Sequence, residues 1–577
     1  MVAAAESSAH QRTALVIGAG VGGVATAARL ASAGYAVTCL EQNSFTGGRC
    51  SLMYTDDGHR FDQGPSLLLL PKMFEETFVD LGTTMEREGI ELVKCNPNYK
   101  VHFGDGESFM LSSDLVQMKT EIERFEGETG FQGFLQFMLE GHRHYELSVE
   151  HVLHKNFTSL LSMLRPSFLK NLLILHPFES IYSRASRYFK TDRLRRVFTF
   201  ASMYMGMSPY DSLGTYSLLQ YTEMTEGIWY PIGGFHKVIE AVQKIAERNG
   251  AVFRLSTRVS RVLLDPHNAK KATGVVLESG EELKADVVVI NSDLIWALNN
   301  LFEPTSYAKR LAKKPVSCSS ISFYWSMDRK VPELGSHNIF LADEYKESFD
   351  SIFRDHRIPR DPSFYVNVPS RSDPSAAPSD RDSVIILVPV GHISDSLPAA
   401  ADWDKIVESA RTLIISTIAK RINVPDFGSY IKSEIVNTPV TWRDKFNLHR
   451  GSILGLSHSF FNVLCFRPAT RHPSVDRAYF VGASAHPGTG VPICLAGARI
   501  TTEQILKDDR AEVPWSKQSY AIAQPAWAKH GVVKTLDKRS RVHIENLLYW
   551  FVGISMIMIA QLVWISSTTS LSLRGSA

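Results

Sequence analysis

Cysteine is scarce in this 577-residue chain, with six in all: Cys39, Cys50, Cys95, Cys318, Cys465 and Cys494. No two of them form a C-x-x-C pair and no cluster offers metal-ligand spacing, so neither a thiolate metal centre nor a disulfide framework is expected, and reduced thiols in a cytosolic compartment fit best. Concentrated charge is also lacking. Sixty-two Lys and Arg against 60 Asp and Glu leave a formal +2, with no dominant basic run, which sets nucleic acid aside as a partner. A secretory leader is not expected either, since the small polar residues 1–12 carry Glu6 in their middle. Internal repeats and long low-complexity tracts are absent by eye. What remains is globular composition, 44% apolar and 21% charged, in a chain long enough for two or more domains.

The opening reads strand, helix, strand. Ala14-Leu15-Val16-Ile17 is a short apolar run of the kind that forms a buried parallel strand, Val21 to Ala33 recurs at helical spacing up to Gly34, and Ala36 to Leu40 is a second strand. Together these predict one right-handed βαβ unit. From Leu67 to Glu226 the pattern is mostly helical, broken by strand-like pieces at Tyr99 to Phe103 and Ser108 to Leu111. An amphipathic helix then follows a Gly-Gly turn within Gly227 to Ile245, before strands at Ala251 to Leu255, Arg258 to Leu264 and Ala285 to Asn291. Strands and helices mix between Phe302 and Thr441 around a Pro/Ser/Asp-rich stretch, Arg357 to Asp382, expected as a surface excursion or lid. Ala478 to Gly482 is a last strand, leading through a Gly/Pro loop into a helix that ends near Leu506.

Gly18-Ala19-Gly20-Val21-Gly22-Gly23 fits G-x-G-x-x-G immediately after the first strand. Gly18 would permit the turn, Gly20 would let backbone approach a pyrophosphate at the helix N-terminus, and Gly23 would allow close packing of helix on strand. Glu41 ends the next strand about 20 residues on. A carboxylate there accepts hydrogen bonds from ribose hydroxyls and repels a 2′-phosphate, which favours FAD or NAD over NADP.

Further motifs carry a resemblance. Glu41 through Gly47-Gly48-Arg49, followed by Phe61-Asp62-Gln63-Gly64-Pro65, resembles the extended signature of the FAD-binding amine oxidase and carotenoid desaturase group. Gly482-Ala483-Ser484-Ala485-His486-Pro487-Gly488-Thr489-Gly490-Val491-Pro492 resembles the H-P-G-x-G-V-P signature of bacterial and fungal phytoene desaturases, and Trp229-Tyr230-Pro231-Ile232-Gly233-Gly234 is similar to that family's W-[FY]-P-x-G-G segment. One departure is Ala485, where the family more often carries threonine. The resemblance runs from about Thr13 to Asp508. It implies FAD as cofactor, with NAD as an alternative cofactor or electron acceptor, contacted by Gly18, Gly20, Gly22, Gly23, Glu41, Gly47, Gly48, Arg49, Asp62, Gly64, Val259, Gly482, Gly488, Gly490, Val491 and Pro492. It further implies a helix N-terminus facing the flavin ring. Trp229, Tyr230 and His486 are candidates for a substrate channel. His486 is also a weak candidate for proton transfer, and no other acid or base stands out.

Leu547 to Ile565 is interrupted only by Gln561 and small residues. As a helix it would reach about 28 Å, close to the ~30 Å hydrocarbon core of a bilayer. Trp550 and Trp564 stand towards its ends, and Lys529, Lys534, Lys538, Arg539 and Arg541 precede it, which predicts a single-pass anchor with a cytosolic catalytic body, the endoplasmic reticulum being a plausible membrane. The apolar stretch Leu160 to Phe178, with Arg165 and Lys170, is a second candidate for contact with lipid.

The expected fold class is therefore α/β: a Rossmann-type FAD-binding domain with an interleaved mixed α+β substrate domain, plus a C-terminal transmembrane helix. The FAD-binding domain would comprise 13–66, 227–300 and 442–508, and the substrate and membrane-associating domain 67–226 and 301–441. A flexible stretch 1–12, a linker 509–546, the helix 547–565 and a tail 566–577 complete the division. The expected function is FAD-dependent, stepwise desaturation of phytoene to lycopene or on to 3,4-didehydrolycopene. Its partners would be the hydrophobic carotenoid, membrane lipid, oxygen or a quinone as terminal acceptor, and other carotenoid-pathway enzymes. The alternatives are a membrane-anchored flavin amine oxidase and, in another class, a non-catalytic prenyl-protein escort or GDP-dissociation-inhibitor-like module.

Overall fold

The computed structural model describes residues 11–157, 171 and 174–517. The chain divides into two units, 1–515 and 516–577, and the architecture below is that of the first. Its organising element is a five-stranded parallel sheet in the order Ala478–Phe480, Val287–Ile290, Thr13–Ile17, Ala36–Leu40, Val252–Arg254. Three distant stretches of chain thus build one sheet. Alternation sets its two faces: Ala14, Val16, Val287 and Val289 pack into a core with Val24, Val238 and Leu495, whereas Leu15, Ile17, Val288 and Ile290 pack with Val262, Val275 and Leu294.

The helix Val21–Ser32 is buried almost all round, which its Ala25, Ala27, Ala28 and Ala31 permit by letting the helices His236–Arg248 and Val491–Asp508 come close. The exception to its apolarity is Arg29, paired with Asp80 at 2.9 Å with both side chains enclosed. The other face of the sheet is covered by a three-stranded antiparallel sheet, Val259–Asp265, Asn268–Leu277 and Glu282–Lys284, and by the helix Leu294–Asn300.

A seven-stranded mixed sheet lies in the order Ile431–Asn437, Ser319–Met327, Ser383–Val390, Phe364–Asn367, His337–Phe340, Tyr99–His102, Ser108–Leu111. Ile321, Phe323 and Trp325 face the helix Trp403–Arg421, and the alternate residues Ser320 and Ser322 face a cavity. The stretch 357–382, expected as an excursion or lid, contains the strand Phe364–Asn367, which is buried along its length near the middle of this sheet. Its flanking prolines and aspartates mask a three-residue apolar run, Phe364 to Val366, too short for a periodicity argument. Helical segments wall off the cavity's far side. Leu115–Ser148, capped by Asp114 at the N–H groups of Val116 and Gln117 (2.8 and 3.0 Å), breaks at Gly127 and then runs beside Leu218–Thr225.

The transmembrane part of the expected fold class requires correction. Among the described residues no helix is long and apolar enough to cross a membrane. Leu115–Ser148 has the length but carries Lys119, Glu121, Glu123 and Arg124 near its start, and Trp403–Arg421 carries six charged side chains. The fold of the described residues is thus α/β, with no spanning helix among them. The stretch 547–565 lies outside the described residues, as do 160–170 and 172–173 of the second candidate lipid contact.

Candidate active site

The strand Thr13–Ile17 ends at Gly18, whose φ of 95° turns the chain into the helix Val21–Ser32. That helix starts at Gly20 without a side-chain cap, so its first-turn N–H groups are available to an anion. Asn291, just past the strand Val287–Ile290, braces this turn. Its Nδ2 donates to the Gly18 carbonyl at 3.2 Å, and a Cβ on Gly20 or Gly22 would come within 2.8 or 2.7 Å of its amide. Gly23 serves packing alone: its Cβ would lie 2.0 Å from the Gly18 carbonyl oxygen, and it does not line the cavity.

Glu41 closes the same corner from the end of the second strand. One carboxylate oxygen accepts the Ala19 N–H at 2.8 Å, and the other accepts the backbone and side-chain N–H of Asn43, both at 2.9 Å. Gly47 donates to Ala19 at 2.7 Å, joining Gly47-Gly48-Arg49 to the glycine turn. The Arg49 guanidinium donates to the Ile453 carbonyl; burial lowers its pKa, while Cys494 and Asp293 act in the opposite direction.

At the other end, Gly490 (φ 105°) starts the eighteen-residue helix Val491–Asp508, and Gly490 to Cys494 line the cavity. Pro492 presets the first turn, and the helix points the positive end of its dipole inward. Beneath this loop lies Arg467, fully enclosed. It donates to the carbonyls of Ala485 (3.1 Å), Ser457 (3.2 Å), Asn462 (2.8 Å), Leu456 (3.2 Å) and Ala483. Burial brings it down to about 10. Burial also pushes the Cys494 thiol up to about 11, against the pull of Arg49 and Arg467, so it is a protonated and weak nucleophile.

These elements frame one cavity of about 580 Å³. Of the residues expected at the cofactor, Gly18, Gly20, Gly22, Glu41, Gly47, Gly48, Arg49, Gly64, Val259, Gly482, Gly490, Val491 and Pro492 line it. Asp62 and Gly488 do not. Asp62 is enclosed and accepts the Tyr230 hydroxyl at 2.5 Å and the Phe235 N–H at 2.7 Å, so it clamps backbone behind Gly64. Gly488 packs against His458, 2.5 Å from where its Cβ would stand.

The three expected channel residues also stand outside the cavity wall. Tyr230 is turned to Asp62, the Trp229 indole donates to the Glu226 carbonyl at 3.0 Å, and the His486 Nε2 lies 2.7 Å from the Lys155 carbonyl with its ring edge-on to Phe157. Burial pulls His486 down to about 4. Asn291 and Arg467 were not found by sequence reasoning. The first is signalled only by its place after a buried strand, and the second by no local pattern.

The rest of the wall is mostly apolar, with Val152, Leu153, Leu175, Met203, Leu213 and Leu219, and carries uncharged polar groups such as Ser148, Thr215, Ser320 and His458. Among the described lining residues the charged side chains are Glu41, Arg49, Arg258 and Asp293, all at the nucleotide end. In the helical layer Glu140, His144 and His176 come together. Glu140 is already bonded by Arg184 and by the Tyr188 hydroxyl at 2.8 Å, and both His144 nitrogens are engaged at 2.8 Å, so the trio forms an internal polar network.

Residues 21–506 match the family model of flavin containing amine oxidoreductases. "Phytoene desaturase" of Fusarium fujikuroi is 58% identical over 528 residues, covering 88% of this chain and 92% of that protein. The chain belongs to the phytoene desaturase family. "Phytoene desaturase" of Neurospora crassa is likewise 58% identical, over 88% of this chain and 87% of that one. The family member of Myxococcus xanthus described as a zeta-carotene-forming phytoene desaturase is 39% identical, over 87% and 95%. Among solved structures, wild-type putrescine oxidase bound to putrescine superposes with a TM-score of 0.59 at 13% identity, covering 86% of this chain and 99% of that one, a likeness of fold.

FAD is the cofactor of this family member, and the site fits it. The uncapped helix start and the glycine turn, whose space a Cβ would fill, suit a pyrophosphate. Glu41 suits a ribose diol, and the second helix N-terminus suits a ring system that becomes negative on reduction.

Proposed function

We propose that this chain desaturates phytoene in successive steps, to lycopene or on to 3,4-didehydrolycopene. The observation that carries the reading is the polarity of the cavity. Every charged lining side chain among the described residues lies at the nucleotide end, and the remainder is uncharged and mostly apolar. An amine substrate would be served by an anion beside its ammonium group, whereas a polyene needs only apolar surface and orientation. The names of the fungal relatives support the same choice. Bound FAD supplies a hydride acceptor for an unactivated C–H bond. The protein's part is to hold the nucleotide between Gly18–Glu41 and Gly490–Cys494, to exclude water with the apolar wall, and to present one carbon pair at a time.

The membrane belongs to this reading as the source of substrate. Phe178 and Phe461 are 70% and 69% exposed. They sit beside the cavity-lining Pro177 and Phe460, and the Phe178 and Phe460 rings lie 5.0 Å apart. Such an apolar rim suits contact with the lipid surface in which phytoene dissolves. A quinone dissolved in the same bilayer is the acceptor best placed to reoxidise the cofactor, with the catalytic body on the cytosolic side.

The test is expression in a bacterial host that accumulates phytoene, followed by absorption spectra of the extracted pigment. Coloured polyene is expected, its band positions counting the double bonds. Unchanged phytoene beside folded, flavin-loaded protein would overturn the reading. Phe178→Asp with Phe461→Asp should lower co-sedimentation with phosphatidylcholine vesicles while FAD content stays intact.

A further inference from the structure

Forming a C=C bond removes two hydrogens, and only one leaves as hydride. The other leaves as a proton, in a cavity whose described wall has no carboxylate away from the nucleotide end and one histidine, His458, whose Nε2 accepts the Thr489 N–H at 3.2 Å and which burial holds well below the usual imidazole range, making it a weak base. A polar chain does begin there. Tyr204, in the turn Phe200–Met205, lines the cavity, and its hydroxyl donates to that of Tyr99 at 2.5 Å. The Tyr99 hydroxyl in turn donates to Glu223 Oε1 at 3.2 Å. Glu223 stands on the helix Leu218–Thr225, 1% exposed. Both donations run in one direction, from the cavity inward to the carboxyl group.

Resting on the desaturase reading, we propose that Tyr204, Tyr99 and Glu223 form the proton exit of the reaction, with Glu223 as its terminal acceptor. FAD held between Gly18–Glu41 and Gly490–Cys494 would supply the acceptor for the first C–H bond's electron pair, which leaves as hydride. The adjacent C–H bond then breaks so that its pair becomes the new π bond. Its proton goes to the Tyr204 oxygen as Tyr204 passes its own to Tyr99, and Tyr99 passes its own to the Glu223 carboxylate. The cycle closes when the proton returns along the same path to water in the vacated cavity.

The surroundings suit each member to its part. Burial raises both tyrosines well above their ordinary range, so each stays protonated and conducts without ionising. Burial pushes Glu223 up to about 8, opposed only by the Tyr99 hydroxyl, which places the acceptor near working pH. The groups facing it are few. Asn98 donates to its backbone carbonyl at 2.5 Å, Phe200 and Tyr204 pack on Tyr99, and His337 and Tyr365 stand beyond, bonded to each other at 2.7 Å. Burial keeps His337 neutral, down to about 3. Tyr221 on the same helix and Glu226 just past its end turn instead to His142 and Tyr145.

The experiment uses full-length, FAD-loaded protein as wild type, Tyr204→Phe and Glu223→Gln, with flavin content and thermal melting as controls for folding. For the resting wild type, infrared difference spectra across pH should show a protonated-carboxyl band that disappears with a midpoint near 8 and is missing in Glu223→Gln. With phytoene in liposomes, both variants should keep KM and lose about 100-fold in kcat. The wild-type rate should rise with pH through about 8, and Glu223→Gln should lose that limb. A flavin-loaded variant retaining wild-type kcat and pH profile would overturn the relay, as would a carboxyl band unchanged by Glu223→Gln. Wild type that titrates as described but converts no phytoene would overturn the assigned substrate and not the wire. If Glu223→Gln fails to fold, Tyr204→Phe decides by the same rate and KM comparison.

Discussion

Asn291 donates its side-chain amide to the carbonyl of Gly18 at 3.2 Å, and in doing so occupies the space beside three of the turn's glycines. A Cβ on Gly23 would stand 2.0 Å from the Gly18 oxygen, a backbone atom that cannot yield without opening the turn. Gly23→Ala is therefore expected to abolish FAD retention. Gly22→Ala meets only side chains, Asn291 at 2.7 Å and Val481 at 2.9 Å, and should weaken FAD binding less. Flavin fluorescence released from purified protein measures both, and Gly23→Ala with full occupancy would refute the reading.

Glu41 supports the turn and faces the nucleotide. Removing it orphans the buried Ala19 N–H, at a cost of about 1–3 kcal/mol, in addition to any ribose contact. Glu41→Ala should raise the Kd for FAD by at least about 10-fold, the equivalent of ~1.4 kcal/mol. Glu41→Gln retains one carboxamide oxygen and should fall between the two. Titration of apoprotein with FAD, followed by quenching of flavin fluorescence, gives the order.

Arg467 binds five carbonyls of the loops 456–462 and 483–485 and has no acidic partner among the contacts described. Arg467→Met fills similar volume but leaves those oxygens without a donor. With each unsatisfied carbonyl costing about 1–3 kcal/mol, a loss of at least ~3 kcal/mol is expected in denaturant unfolding. FAD loss should accompany it, because the same loop carries Gly482.

Glu223 predicts a pH dependence of stability as well as of rate. Its folded-state pKa, about 8, lies above its ordinary 4.5, so the folded state favours the protonated form. The stabilisation is complete below about 4.5 and is lost as pH rises through 8, at up to about 1.4 kcal/mol per pH unit. Glu223→Gln should flatten that decline in the melting temperature between pH 5 and 8. Parallel curves for the two proteins would contradict it.

Much of the nucleotide end was legible in the amino-acid order because it is local. A buried apolar strand followed by Gly18, Gly20 and Gly23, and a carboxylate ending the next strand, constrain backbone conformation within about thirty residues, and chain chirality then sets the topology. The Gly490–Pro492 helix start is local in the same sense. Side-chain direction is not. Tyr230 and His486 stand next to recognisable turns, yet each points to a partner far along the chain, respectively Asp62 and the Lys155 carbonyl. Nor does any spacing announce Tyr99, Tyr204 and Glu223, which come from a strand, a turn and a helix. The order of residues by itself determined where the dinucleotide turn, its acidic partner and the second helix start would form, since backbone sterics act between neighbours. Only the tertiary structure decided which side chains meet at the apolar end and which polar groups are buried together, because burial and hydrogen-bond partnership depend on segments separated by a hundred residues or more.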